Sequence, residues 1–124
     1  MLQRGLNIIV RDSLFDPDRP GEQVARVRRT EGKRPLYRVF IYLDGPDLPF
    51  VKKVTYALHQ TFSPNTRTVS RSISNPRCKL EIWTWGVFAV RATVLDKQSR
   101  TFTMTHALEY ASALKDSNIE FQTT

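Results

Sequence analysis

Two tryptophans stand two residues apart in the run Lys79-Leu80-Glu81-Ile82-Trp83-Thr84-Trp85. The run alternates with the period of a β-strand, so Cys78, Leu80, Ile82 and Thr84 share one face and Lys79, Glu81, Trp83 and Trp85 the other. If the aliphatic face is core, both indoles belong to the charged face. A large aromatic left in water has apolar area to offer a ligand or a partner. The competing structural reading packs one indole under the N-terminal segment. Gly86 follows at once, and glycine permits a bend or a close backbone approach.

The other chemistry-bearing residues form no catalytic constellation. His59 and His106 have no acid placed by sequence to orient either ring as a base. One cysteine, Cys78, and two histidines give no zinc spacing. Cys78 reads as a small core hydrophobe. The glycines make neither a phosphate loop nor a dinucleotide fingerprint. Asp16 and Asp18 sit in a proline-rich turn and supply too few ordered oxygens for calcium. The chain is therefore expected to be a non-enzymatic protein without cofactor or metal.

The 124 residues suit one domain, 1–124, with a core that needs no disulfide. A lone cysteine fits a reducing compartment. The apolar run from Leu6 to Val10 is too short for a signal peptide, and no stretch is long enough for a membrane helix. These features predict a cytoplasmic protein with no membrane partner. The net charge is +7 and the isoelectric point about 10.0. Arg26, Arg28, Arg29, Lys33, Arg34 and Arg38 face a single acid, Glu31, over one short segment. Such a surface attracts phosphates and acidic partners and disfavours basic peptides.

Elements that would position these residues follow from punctuation and period. Proline and glycine clusters recur at short intervals, among them Asp16-Pro17-Asp18-Arg19-Pro20-Gly21, Asp44-Gly45-Pro46, Ser63-Pro64-Asn65 and Asn75-Pro76. Between them the chain alternates over Tyr37 to Asp44, Lys53 to His59, Val87 to Leu95 and Arg100 to His106, with weaker strand signals at Leu6 to Arg11 and Gln23 to Arg29. Val54, Tyr56 and Leu58 are expected inside, as are Phe88, Val90, Ala92 and Val94. Thr101, Thr103 and Thr105 are expected together on one face. Asp96 to Ser99 reads as a hairpin connection. Ala107 to Leu114 reads as a short helix with Leu108, Ala111 and Leu114 on one side. Ile119 to Gln122 reads as a last strand or an extended tail. The sum is an all-β, immunoglobulin-like sandwich of about seven or eight antiparallel strands with one short C-terminal helix.

The residues from Leu36 to Leu95 carry a resemblance. Val54-Thr55-Tyr56-Ala57-Leu58-His59-Gln60-Thr61-Phe62-Ser63-Pro64-Asn65 followed by Trp85-Gly86-Val87-Phe88, with Leu43-Asp44-Gly45-Pro46 upstream, resembles the YEATS family in its prokaryotic branch. The resemblance implies a reader module that holds a flat acylated lysine between two aromatic walls. By position the walls are Phe62 and Trp85. Thr61 stands where a serine hydroxyl meets the acyl amide, His59 lines the slot, and the backbone N–H near Trp85, at Gly86, meets the acyl oxygen. The implied partner is a protein or an acylated peptide, in a bacterial signalling setting.

The alternative reading is a nucleic-acid or acidic-partner module. Arg26 to Arg38 would track a phosphate backbone and Trp83 or Trp85 would stack a base. Location discriminates the two: basic residues and tryptophans on one face favour nucleic acid, whereas a narrow Phe62–Trp85 slot away from the arginines favours a small planar ligand.

Overall fold

Alternating apolar residues between turn clusters form nine strands among the residues that the computed structural model describes, 6–29, 34–115 and 119–123. They are β1 (Ile9–Ser13), β2 (Val24–Arg28), β3 (Leu36–Asp44), β4 (Val51–Ala57), β5 (Thr66–Ser70), β6 (Leu80–Thr84), β7 (Ala89–Asp96), β8 (Thr101–Ala107) and β9 (Glu120–Thr123). One sheet runs β5-β4-β7-β8; the other runs β1-β3-β2-β9, with β6 also paired to β3. By its contacts the chain divides into two compact units. Among the described residues, one holds 6–11, 42–79 and 88–107; the other holds 12–29, 34–41, 80–87, 108–115 and 119–123.

The first unit is built on the β5-β4-β7-β8 sheet. Its inward residues obey the alternation read from the sequence: Val54 and Tyr56 of β4 and Val90, Ala92 and Val94 of β7 are fully buried, and Leu58 nearly so. Burying such side chains contributes about 1.5–3 kcal/mol each relative to leaving them in water. Tyr56 buries its ring and donates its hydroxyl to the Cys78 carbonyl at 2.7 Å, which satisfies both polar groups. Burial pushes the Tyr56 phenol well above its ordinary range and the Cys78 thiol up to about 11. Cys78 is fully buried, as expected. The opposite face is a row of hydroxyls: Thr68, Thr55, Thr93 and Thr103 stand side by side across the four strands.

Asp96 shapes the β7–β8 connection as expected. It is buried and accepts from the Gln98 and Arg100 backbone N–H groups and from the Arg100 guanidinium at 2.8–2.9 Å. Burial works to raise its carboxyl, but these hydrogen bonds and the Arg100 charge outweigh it and hold the group below its usual range. Gly45 turns the chain after β3 with φ at 132°, and a Cβ there would collide with the Asn7 carbonyl oxygen. Only glycine meets both conditions.

The second unit is built on β6, β3, β2 and β9. Val39, Ile41, Ala25, Val27 and Ile82 fill its interior. β3 pairs antiparallel with β6, placing Arg38 opposite Trp83 and Tyr37 opposite Thr84. β9 pairs with β2 in parallel, Ala25 opposite Phe121, which departs from the all-antiparallel expectation. Tyr37, Tyr110 and Phe121 form an aromatic cluster with centroids 5.9 and 6.3 Å apart.

Two expectations on local structure are corrected. The helix α1 spans only Tyr110–Ala113, because Ala107 is claimed by the β7–β8 ladder, where it pairs with Ala89. The strand β5 was not expected: Thr66-Arg67-Thr68-Val69-Ser70 has a single apolar residue, and it forms by pairing along β4 at the sheet edge.

Candidate functional site

The loop that leaves β4 gathers three of the expected site residues. Leu58 anchors it by donating its N–H to the Asn65 carbonyl at 2.6 Å, and the Phe62 N–H reaches the His59 carbonyl at 3.0 Å. His59 and Thr61 are exposed and Phe62 is half-buried. The Thr61 N–H donates to His59 Nδ1 at 3.2 Å, and the Thr61 hydroxyl lies 2.9 Å from the same nitrogen. An Nδ1 that accepts an amide hydrogen carries no proton, so the ring proton of the neutral imidazole belongs on Nε2. The Thr61 hydroxyl then shares that one Nδ1 lone pair with the amide as a second, weaker donor, and its own lone pairs are left to accept.

Phe88 belongs with this group, contrary to its expected place in the core. It is half-buried, its ring centroid 5.4 Å from Phe62 and 6.0 Å from His59, both pairs tilted. Its parity with Val90 and Ala92 suggested an inward side chain, but β7 begins only at Ala89, so the alternation does not reach it. Arg67, on the unexpected strand β5, lies over the Phe62 ring at 5.8 Å. It also donates Nε–H to the Pro64 carbonyl at 3.2 Å.

The remaining two expected residues, Trp85 and Gly86, lie in the second unit just past β6. Trp85 is 58% exposed, an indole left largely in water. The turn beneath it is braced. The Thr84 hydroxyl donates to the Gly86 carbonyl at 3.0 Å and accepts the Gly86 N–H at 3.3 Å. The Tyr110 hydroxyl donates to the same carbonyl at 2.8 Å. Burial raises the Tyr110 phenol, partly offset by its bond with Thr84, so it stays a neutral donor. Asp12 in turn accepts the Glu109 and Tyr110 N–H groups at 2.8–3.0 Å, satisfying free amides at the start of α1. Around Gly86 a Cβ would meet nothing within 4 Å, so the glycine borders open space. Sequence reasoning missed Tyr110, Asp12 and Thr84 as supports because they act through backbone groups far along the chain.

The basic residues share a face with the tryptophans in this second unit. Arg28 lies over the Trp83 ring at 4.3 Å and Arg34 over Trp85 at 4.7 Å. Arg38 stands opposite Trp83 and lies over Phe40 at 4.8 Å. Arg26 alternates onto the side of β2 that carries Arg28. Arg29 is exposed at the end of β2, and Lys33 lies outside the described residues. Among the described residues no group of three His, Cys, Asp or Glu side chains could hold a metal ion, and no helix is long and apolar enough to cross a membrane.

The fold is that of an immunoglobulin-like β-sandwich. The family model of the prokaryotic YEATS domain matches residues 37–109, more than half of the chain, and the chain belongs to that family. Among solved structures it is similar to the yeast AF-9 homologue Yaf9, with a TM-score of 0.52 and 20% identity over 66% of this chain. It spans 61% of that relative's length, short of two thirds. The Yaf9 YEATS domain recognising an H3K122suc peptide matches with a TM-score of 0.56 and 17% identity, over 89% of this chain and 80% of that one. The Yaf9 YEATS domain bound to H3K27ac matches with a TM-score of 0.54 and 18% identity, over 89% and 81%. No curated protein matches the chain.

Proposed function

We propose that the chain is a non-catalytic reader module that takes a flat acyl group, such as an acylated lysine, with Phe62 and Trp85 as its aromatic residues. The observation that carries it is the His59–Thr61–Phe62 group, an aromatic wall beside a hydroxyl whose lone pairs remain available. A planar amide stacks well on π faces, and one or two hydrogen bonds fix its orientation. The Thr61 oxygen accepts the acyl amide N–H, and His59 Nε2–H offers a donor to the acyl oxygen. The solved relatives that hold H3K122suc and H3K27ac peptides support this choice of ligand. The positive charge of the chain favours neutral or acidic flanks around the lysine. We place the module in the cytoplasm, in a prokaryotic signalling assembly, with a protein or peptide as its ligand.

Calorimetric titration with a crotonyl-lysine peptide carrying acidic flanks tests this reading. Saturable binding that Thr61→Ala weakens and Phe62→Ala abolishes is the expected result. Equal heats from the acylated and the unmodified peptide contradict it.

A further inference from the structure

The arginine and tryptophan face of the second unit has a chemistry of its own. β2, β3 and β6 lie side by side, and their outward positions carry Arg26 and Arg28, then Arg38, then Trp83. Trp85 and Arg34 extend the face past the strand ends. Neighbouring outward residues are about 7 Å apart along a strand, and neighbouring strands about 5 Å apart. The cations are thus spread as a grid, not bunched at one point. Arg28 reaches across β3 to cover Trp83.

Among the described residues its charges meet rings and not carboxylates. Among the described residues no carboxylate lies within ion-pair distance of Arg26, Arg28, Arg34 or Arg38, whereas Arg11, Arg77 and Arg100 of the first unit are all paired. Arg38 keeps a covered Nε–H with no acceptor. A guanidinium held over an indole keeps N–H donors for phosphate oxygens. Unpaired arginines alternating with indoles suit a polymer that alternates phosphates with flat bases.

We infer that this face binds single-stranded nucleic acid, with phosphates on Arg26, Arg28, Arg34 and Arg38 and a base stacked on Trp85. An acidic peptide offers carboxylates but no flat rings at regular spacing, and so leaves the 58%-exposed indole unused. This site does not depend on acyl recognition. It shares Trp85 with the proposed acyl site but uses none of His59, Thr61 or Phe62.

The test is fluorescence anisotropy of labelled single-stranded DNA and RNA oligonucleotides with the full chain, over a salt series and beside tryptophan quenching. Four phosphate contacts predict a slope of log K against log salt near −3, at about −0.7 per contact, and removing one arginine should flatten it by about 0.7. The double reversal Arg26→Glu/Arg28→Glu should weaken binding about tenfold or more. The double reversal Lys53→Glu/Arg91→Glu, on the other sheet, changes net charge equally and should cost far less. The gentler Arg28→Gln guards against misfolding of the reversed protein. Three results overturn the inference: no binding of either oligonucleotide at low salt, equal weakening by both double reversals, or displacement by poly-glutamate at equal charge without any change in indole quenching. The last assigns the face to an acidic protein.

Discussion

Tyr110 donates its hydroxyl to the Gly86 carbonyl at 2.8 Å, across 24 residues of sequence. That bond, with Thr84 on the same carbonyl, holds the turn on which Trp85 is displayed. Tyr110→Phe keeps the ring and removes only the donor. We expect a stability loss of about 0.5–1.5 kcal/mol. Acyl-peptide affinity should fall as well, because Trp85 then samples more orientations. Chemical denaturation checks the first and calorimetry the second; unchanged affinity would mean the turn holds Trp85 without Tyr110.

Phe88 packs 5.4 Å from Phe62 and 6.0 Å from His59. Phe88→Ala removes the ring that backs this wall and, at a half-buried position, should destabilise the chain by less than the roughly 3–5 kcal/mol of a fully buried Phe→Ala change. Phe88→Leu keeps most of the volume and should retain the fold while weakening acyl binding. A Phe88→Leu protein that binds as tightly as the wild type would remove Phe88 from the site.

Much of this architecture is legible in the sequence. The strands β3, β4, β6, β7 and β8 announce themselves by alternation, since one face of each is mostly apolar, although β3 carries Phe40 and Tyr42 on its other face as well. The exposure of Trp85 agrees with the parity of Ile82 and Thr84, although β6 ends one residue before it. What is not legible depends on pairing. β5 has almost no apolar signal and exists because β4 offers it an edge. β9 runs parallel to β2, a relation no local pattern encodes. Phe88 was misassigned because its parity continues a strand that begins one residue later. The supports of the Trp85 turn, Asp12 and Tyr110, lie 98 residues apart in the chain and meet through a carboxylate on a backbone amide.

The Tyr56 phenol is buried and donates to the Cys78 carbonyl. Burial raises its folded pKa, while in the unfolded chain it ionises near pH 10. Above that pH the unfolded state has released a proton that the folded state keeps. The stability contribution is therefore complete below about pH 10 and is lost as the pH rises further. Cys78, raised to about 11, acts in the same direction from somewhat lower pH. Tyr56→Phe should cost about 1–3 kcal/mol at neutral pH, from the orphaned carbonyl, and flatten the alkaline decline. Denaturant midpoints from pH 8 to 11 check both.

Gly45 occupies positive φ with its Cα against the Asn7 backbone. Gly45→Ala is expected to destabilise the chain by more than the roughly 1 kcal/mol of an ordinary glycine substitution, because strain and collision add. Gly86→Ala, in open space, should leave the melting temperature nearly unchanged and weaken only acyl binding. Thermal melts of the two variants side by side separate a structural glycine from one that borders a ligand.

The proposed acyl-reader function can be tested at Phe62 and at Trp85. Tryptophan fluorescence, titrated with acetyl- and crotonyl-lysine peptides on neutral and acidic flanks, tests it most directly. Saturable quenching by the acylated peptides, absent with unmodified lysine and lost in both Trp85→Ala and Phe62→Ala, is the expected result. No change with any acylated peptide up to millimolar concentration, from a protein that remains folded, would contradict it.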